Sequence, residues 1–129
     1  MKTLTSNYSI IKNGLLKKFS SVFISNSKLT LSFLDVLVRE GVIRSYLIVS
    51  KTRIEVFLKY YKGVAVLNDI KPISTSSCSI YYSIEDISHW KNSYSPLNSF
   101  LVLNSSKKTF SSNELKNYKI GGQVLCVIN

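Results

Sequence analysis

Apolar positions along this 129-residue chain change their period several times, and each change predicts an element. Leu4, Tyr8, Ile11 and Leu15 recur at helical spacing, so residues 4–14 read as an amphipathic helix with Gly14 as its stop. Residues 20–25 read as a short strand. Asn26 or Ser27 then caps a helix through Glu40, with Leu29, Phe33, Leu34, Leu37 and Val38 on one side and Gly41 at its end. Residues 42–49 and 53–60 are rich in β-formers and read as a hairpin closed by Ser50-Lys51-Thr52, and Lys62-Gly63 makes the next turn.

The second half reads differently. Short strands at 64–67, 70–74 and 79–82 are joined by serine-rich links. A helical turn fits Ser83–Ile87, and residues 88–99 read as a polar loop. A strand at 100–103 follows. Ser111-Ser112-Asn113-Glu114 fits a capping box that opens a short helix to Tyr118. Gly121-Gly122 then turns the chain into a closing strand, 123–128. The fold class is α+β in two small domains. Residues 1–64 form an N-terminal α-β-α-β-β domain, and residues 65–129 form a C-terminal, mainly-β domain with a short helix.

Charge narrows the choice of partner. Seventeen basic side chains face seven acidic ones, a formal net charge of +10, spread along the chain rather than gathered in a tail. A folded body with that balance suits a polyanion, nucleic acid before membrane. No run of apolar residues approaches the roughly 20 needed to span a bilayer. Lysines number 14, serines 22 and asparagines 10, against 3 arginines and the single Ala65. The depleted residues largely have GC-rich codons, whereas Lys, Asn, Ile, Tyr and Phe have AT-rich ones, which points to an AT-biased genome, such as an organelle's; the serines do not follow from this. The first 34 residues carry no acid, like a transit peptide, but they lack arginine and their pattern runs on into the fold.

Catalytic chemistry finds no support. Cys78 and Cys126 have neither metal nor redox spacing, and Cys126 reads as a small core hydrophobe. His89 has no cysteine, aspartate or serine constellation around it, so His89 and Trp90 read as packing or contact residues. Glu85 and Asp86 are adjacent and point to different faces. No glycine-rich phosphate loop occurs. The chain reads as a non-enzyme that needs no cofactor and no metal. What remains is the segment Asn104-Ser105-Ser106-Lys107-Lys108 at a strand end. Its small hydroxyls, amide and lysines suit phosphates and 2′-hydroxyls.

Seven short motifs occur in an order that resembles one family. They are Ile11-Lys12-Asn13-Gly14, Ser27-Lys28-Leu29, Glu40-Gly41-Val42-Ile43, Leu58-Lys59-Tyr60-Tyr61 before Gly63, Ile80-Tyr81, Asn104 to Lys108, and Ile120-Gly121-Gly122-Gln123 before Cys126. Together they resemble the bacterial-type small-subunit ribosomal protein S8 family over nearly the whole chain. The resemblance implies a structural protein without enzymatic activity that binds the central domain of the small-subunit rRNA and supports its assembly. It also implies neighbouring small-subunit ribosomal proteins as partners, and neither a membrane nor a small-molecule substrate.

Joined to the composition, the resemblance suggests an organelle-encoded protein of a mitochondrial ribosome in the matrix; a plastid or bacterial cytoplasmic ribosome is the alternative. The RNA-binding residues it implies are Lys12, Lys28, Lys59, Tyr81, Asn104, Ser105, Ser106, Lys107, Lys108 and Gln123. Four departures stand out. Thr75-Ser76-Ser77 replaces the family's Arg-Pro-Gly, Lys108 replaces a glycine, Gln123 replaces a glutamate, and the 88–99 segment is longer than usual. They motivate a second reading, a protein-interaction scaffold in the same particle with reduced rRNA contact.

Overall fold

The computed structural model describes residues 2–75, 77–93, 99–105, 108–114 and 120–128. The architecture is α+β, and the chain divides into two compact units, Met1–Asp69 and Ile70–Asn129.

The first unit runs α1 (Lys2–Leu16), β1 (Ser21–Ser25), α2 (Lys28–Glu40), β2 (Ile43–Ile48), β3 (Arg53–Leu58), β4 (Tyr60–Tyr61) and β5 (Val64–Ala65). The first three strands form an antiparallel sheet in the order β1-β3-β2. Leu4, Tyr8, Ile11 and Leu15 are buried, as their helical spacing requires, and the Tyr8 ring meets Phe33 of α2 at 5.2 Å between centroids. Buried Asn7 ties α1 to its neighbours. Its Nδ2 donates to the Ser25 carbonyl at 3.0 Å and to Thr30 Oγ1 at 3.1 Å, and its Oδ1 accepts from the Ser25 N–H at 3.1 Å.

Gly14 does not stop α1, which continues to Leu16. A Cβ on Gly14 would lie 2.3 Å from Val22 Cγ1, so the glycine permits close packing of helix on strand. The stop is Lys18, whose φ of 57° is left-handed. Its N–H bonds to the Leu15 carbonyl and the Phe19 N–H to the Gly14 carbonyl, the paired bonds of a Schellman motif. Helix α2 starts and ends where its local signals place it. Ser27 Oγ accepts from the Thr30 N–H at 3.1 Å, and Gly41 ends the helix at φ 77°.

The second unit contains β6 (Ile70–Pro72), β7 (Tyr81–Tyr82), α3 (Ile84–Ser93), β8 (Phe100–Asn104), β9 (Thr109–Ser111), a 3-10 turn (Ser112–Glu114) and β10 (Gly122–Ile128). β10 is the hub: it pairs antiparallel with β6 and β7 on one side and with β8 on the other, and β9 lies outside β8. A register shift between Val124 and Cys126 bulges β10 against β8. Ile87, Leu101, Leu103, Phe110 and Val124 form the core here, with Trp90 and Tyr82 packed on it.

Three expectations change in this unit. Strands β5, β6 and β7 are shorter than the runs 64–67, 70–74 and 79–82. Residues Ile84–Ser93, expected as one helical turn followed by polar loop, form a ten-residue helix. A capping box starts it: the Ser83 N–H donates to Asp86 Oδ2 at 3.0 Å and the Asp86 N–H to Ser83 Oγ at 3.3 Å. Ser111, expected at a helix start, instead ends strand β9, opposite Val102. Residues 115–118 of that expected helix lie outside the described residues.

Candidate nucleic-acid interface

The register of the second sheet brings three of the candidate residues side by side. Gln123 on β10 stands opposite Tyr81 on β7 and opposite Asn104 on β8. Directly opposed residues share a sheet face, so Tyr81, Gln123 and Asn104 form a row across three strands. The two glycines before Gln123 allow it. A Cβ on Gly121 would fall 2.4 Å from the Tyr82 carbonyl oxygen, and one on Gly122 would fall 2.8 Å from that of Asn104. Only glycine lets the start of β10 pass between its neighbours at this distance.

Hydrogen bonds orient the row. Thr109 Oγ1 donates to Asn104 Oδ1 at 3.0 Å, which leaves the Asn104 amide N–H₂ as a donor. Gln123 Nε2 donates to Ser79 Oγ at 3.2 Å, which leaves its carbonyl oxygen as an acceptor. Tyr81 is 70% exposed and offers a ring face and a phenol. A donor, an acceptor and an aromatic plane in one line match the mixed chemistry of an RNA groove, where 2′-hydroxyls both give and accept.

Ser105 behaves differently from its neighbours. Its hydroxyl donates to the Lys108 carbonyl at 2.9 Å and accepts from the Lys108 N–H at 3.1 Å, closing the turn between β8 and β9. Most of its bonding capacity is used in holding the loop. Lys108 is exposed on that turn. Ser106 and Lys107 lie outside the described residues, as does Ser76 of the 75–77 segment. Ser74, the residue before that segment, has a buried hydroxyl that donates to the Val124 carbonyl and accepts from the Ile80 N–H at 3.0 Å.

Of the three candidate lysines in the first unit, Lys28 and Lys59 stand at opposite ends of α2. Lys12 pairs with Asp69 at 3.1 Å, both about half exposed. Lys59 Nζ donates to the Gly41 carbonyl at 3.1 Å, where a cation suits the C-terminal end of α2. Lys28 is exposed in the first turn of the same helix. At 1.5 Å per residue, the two ends of α2 are about 18 Å apart.

Sequence reasoning missed Thr109, which strand register sets opposite Asn104, and Ser79, which precedes β7 and bonds to Gln123 across 44 positions of chain. It also missed the cations stacked on exposed rings: Arg53 sits 4.5 Å from the Phe23 centroid, and Lys62 sits 5.4 Å from that of Tyr61. The pairing Ser25↔Arg53 sets Phe23 diagonal to Arg53 across the sheet.

Comparison with known proteins bears on this arrangement. The sequence model of the family described as ribosomal protein S8 matches residues 3–129. The chain is similar to the small ribosomal subunit protein uS8 of Rhizobium rhizogenes, at 32% identity over 122 residues covering 92% of this chain and 89% of that one. It is similar to that of Hyphomonas neptunium, at 34% over 119 residues (90% and 88%), and to that of Rhizobium meliloti, at 33% over 122 residues (92% and 89%).

Proposed function

The chain belongs to the ribosomal protein S8 family, and from that premise we propose that it binds the central domain of the small-subunit rRNA through its second unit and supports assembly of that subunit. Family membership makes it a structural protein of the small ribosomal subunit, not an enzyme, associated with rRNA and other ribosomal proteins. The observation that carries the finer reading is the row Tyr81–Gln123–Asn104, with Lys108 on the adjoining turn. Lysines supply attraction to phosphates, and the row supplies groups that distinguish a groove from a bare charged rod. Ser106 and Lys107, between Ser105 and Lys108 in the chain, belong to the same proposed surface. The Ser105 hydroxyl bonds to the backbone of Lys108. Of the three candidate lysines in the first unit, Lys28 is the best suited to a phosphate, since Lys12 and Lys59 already hold intramolecular partners.

The expected result is that substituting Tyr81 and Asn104 together by alanine weakens binding to the cognate rRNA helix far more than to a random duplex. Equal loss on both would remove the claim of specific readout. The skew toward Lys, Asn and Ile supports a mitochondrial ribosome as the setting. Locating a tagged copy in the matrix, on the small subunit, tests it; a tagged copy on a plastid or cytoplasmic ribosome contradicts it.

A second reading, contact with neighbouring ribosomal proteins, draws on the first unit. Leu47, Ile48 and Val49 are consecutive and each more than half exposed at the β2–β3 hairpin. Protein–protein crosslinks from that hairpin within the small subunit would support it.

A further inference from the structure

At the Tyr81 end of the row lies a cleft. Tyr81, Tyr82, Asp86, His89 and Trp90 line it, and it encloses about 250 Å³. Pockets for drug-sized ligands run from roughly 300 to 1,000 Å³, so this one has room for a single flat ring system. Asp86, His89 and Trp90 stand at i, i+3 and i+4 on α3 and share one helix face. Trp90 is packed on the core, which makes it a fixed wall, whereas Tyr81 stands exposed opposite Gln123. Tyr81 therefore belongs to both features, and a strand laid along the row passes the mouth of the cleft.

We propose that the cleft binds one unstacked guanine base of the RNA, with the Tyr and Trp rings against its faces and Asp86 on its Watson–Crick edge. The proposal rests on the reading that the second unit docks on RNA. Its chemical basis is the carboxylate. Asp86 Oδ2 accepts the Ser83 N–H in the capping box, and Asp86 Oδ1 has no partner among the described residues. Glu85 adds a second negative charge to the same helical turn. Carboxylates repel phosphate, so what enters here is a base edge rather than the backbone. A carboxylate has only acceptors and suits two adjacent donors. Guanine offers N1–H beside N2–H. Adenine and cytosine each set one amino group beside an acceptor nitrogen, and uracil holds its N3–H between two carbonyl oxygens. Aromatic walls hold any base by stacking, and the carboxylate selects among them.

Trp90 is the only tryptophan, so its fluorescence reports on this cleft. The full chain is titrated with a short uridine strand carrying one central guanosine, and with the all-uridine strand. The guanosine strand is expected to quench Trp90 and to bind about tenfold more tightly, the discrimination typical of one good two-bond base contact. Asp86→Asn keeps a capping acceptor for the Ser83 N–H and removes a negative charge. It is expected to abolish the guanosine preference while binding the all-uridine strand at least as well as before. Equal binding of the two strands by the unsubstituted protein, or a preference that survives Asp86→Asn, overturns the proposal. A parallel titration with a central-domain rRNA fragment separates the two levels. Binding of the fragment without guanosine preference removes only the guanine site, and failure to bind the fragment removes the docking reading beneath it.

Discussion

Gln123 shows how much one atom's chemistry decides at the residue scale. It stands where the resemblance implies a glutamate, and its Nε2 bonds to Ser79 Oγ while its Oε1 remains an acceptor. A carboxylate there would face phosphates. Gln123→Glu is expected to weaken rRNA binding about threefold at low salt, with the loss shrinking as salt screens the added charge. Titrations at two salt concentrations test this; unchanged affinity at both contradicts it. A second residue-scale prediction concerns Tyr46, whose phenol donates to Asp35 Oδ1 at 2.5 Å. That hydrogen bond, then burial, then the carboxylate's charge push the Tyr46 phenol up to about 12. A raised folded-state value favours the neutral phenol. The contact's contribution to stability is therefore complete below the ordinary value of 10 and is lost as pH rises from 10 to about 12. In an ultraviolet titration Tyr46 should be among the late-ionising tyrosines, with Tyr60, which burial also raises, and Asp35→Asn should bring Tyr46 back toward the ordinary value of 10. A titration curve identical in the two proteins argues against the contact.

Elements differ in how far the chain announces them. Helix α2 was legible from end to end because its stop and start signals are local: Ser27 bonds three residues ahead, and Gly41 needs only its own left-handed φ. α1 was legible in its apolar face but not in its stop, since Lys18 adopts a left-handed φ without a sequence signal and Gly14 serves a neighbour instead. Gly14→Ala normally favours a helix. Here the added methyl meets Val22, and a loss of about 1–3 kcal/mol is expected. Val22→Ala added to that variant should restore part of it, and a double-mutant cycle with no coupling contradicts the contact. Helix α3 was hidden by its polar composition. Only Ile87 and Trp90 mark its inner face, with Ile84 exposed, and its capping box closes with Asp86 rather than a glutamate or glutamine. Ser83→Ala should cost about 1 kcal/mol in thermal or denaturant unfolding.

For the whole molecule, the α+β class and the polyanionic partner were legible in patterning and charge, because both are sums over many residues. The candidate site was named residue by residue but not as a surface. Tyr81, Gln123 and Asn104 lie about twenty residues or more apart in the chain, and only strand register makes them neighbours. Hydrogen bonding also separates two candidates: Ser105, expected to contact RNA, closes a turn, whereas Asn104 beside it keeps its amide donor. A net charge of +10 predicts binding that falls steeply with salt, by about one unit in log K per unit of log salt for each phosphate neutralised. The central claim is that the second unit's three-strand row is the rRNA face. Crosslinking of the purified protein to small-subunit rRNA, mapped to peptide and nucleotide, tests it most directly. Crosslinks are expected in peptides carrying Tyr81, the 104–108 turn and Gln123, converging on one rRNA helix. Crosslinks confined to the first unit, or scattered over the rRNA with no common helix, would contradict it.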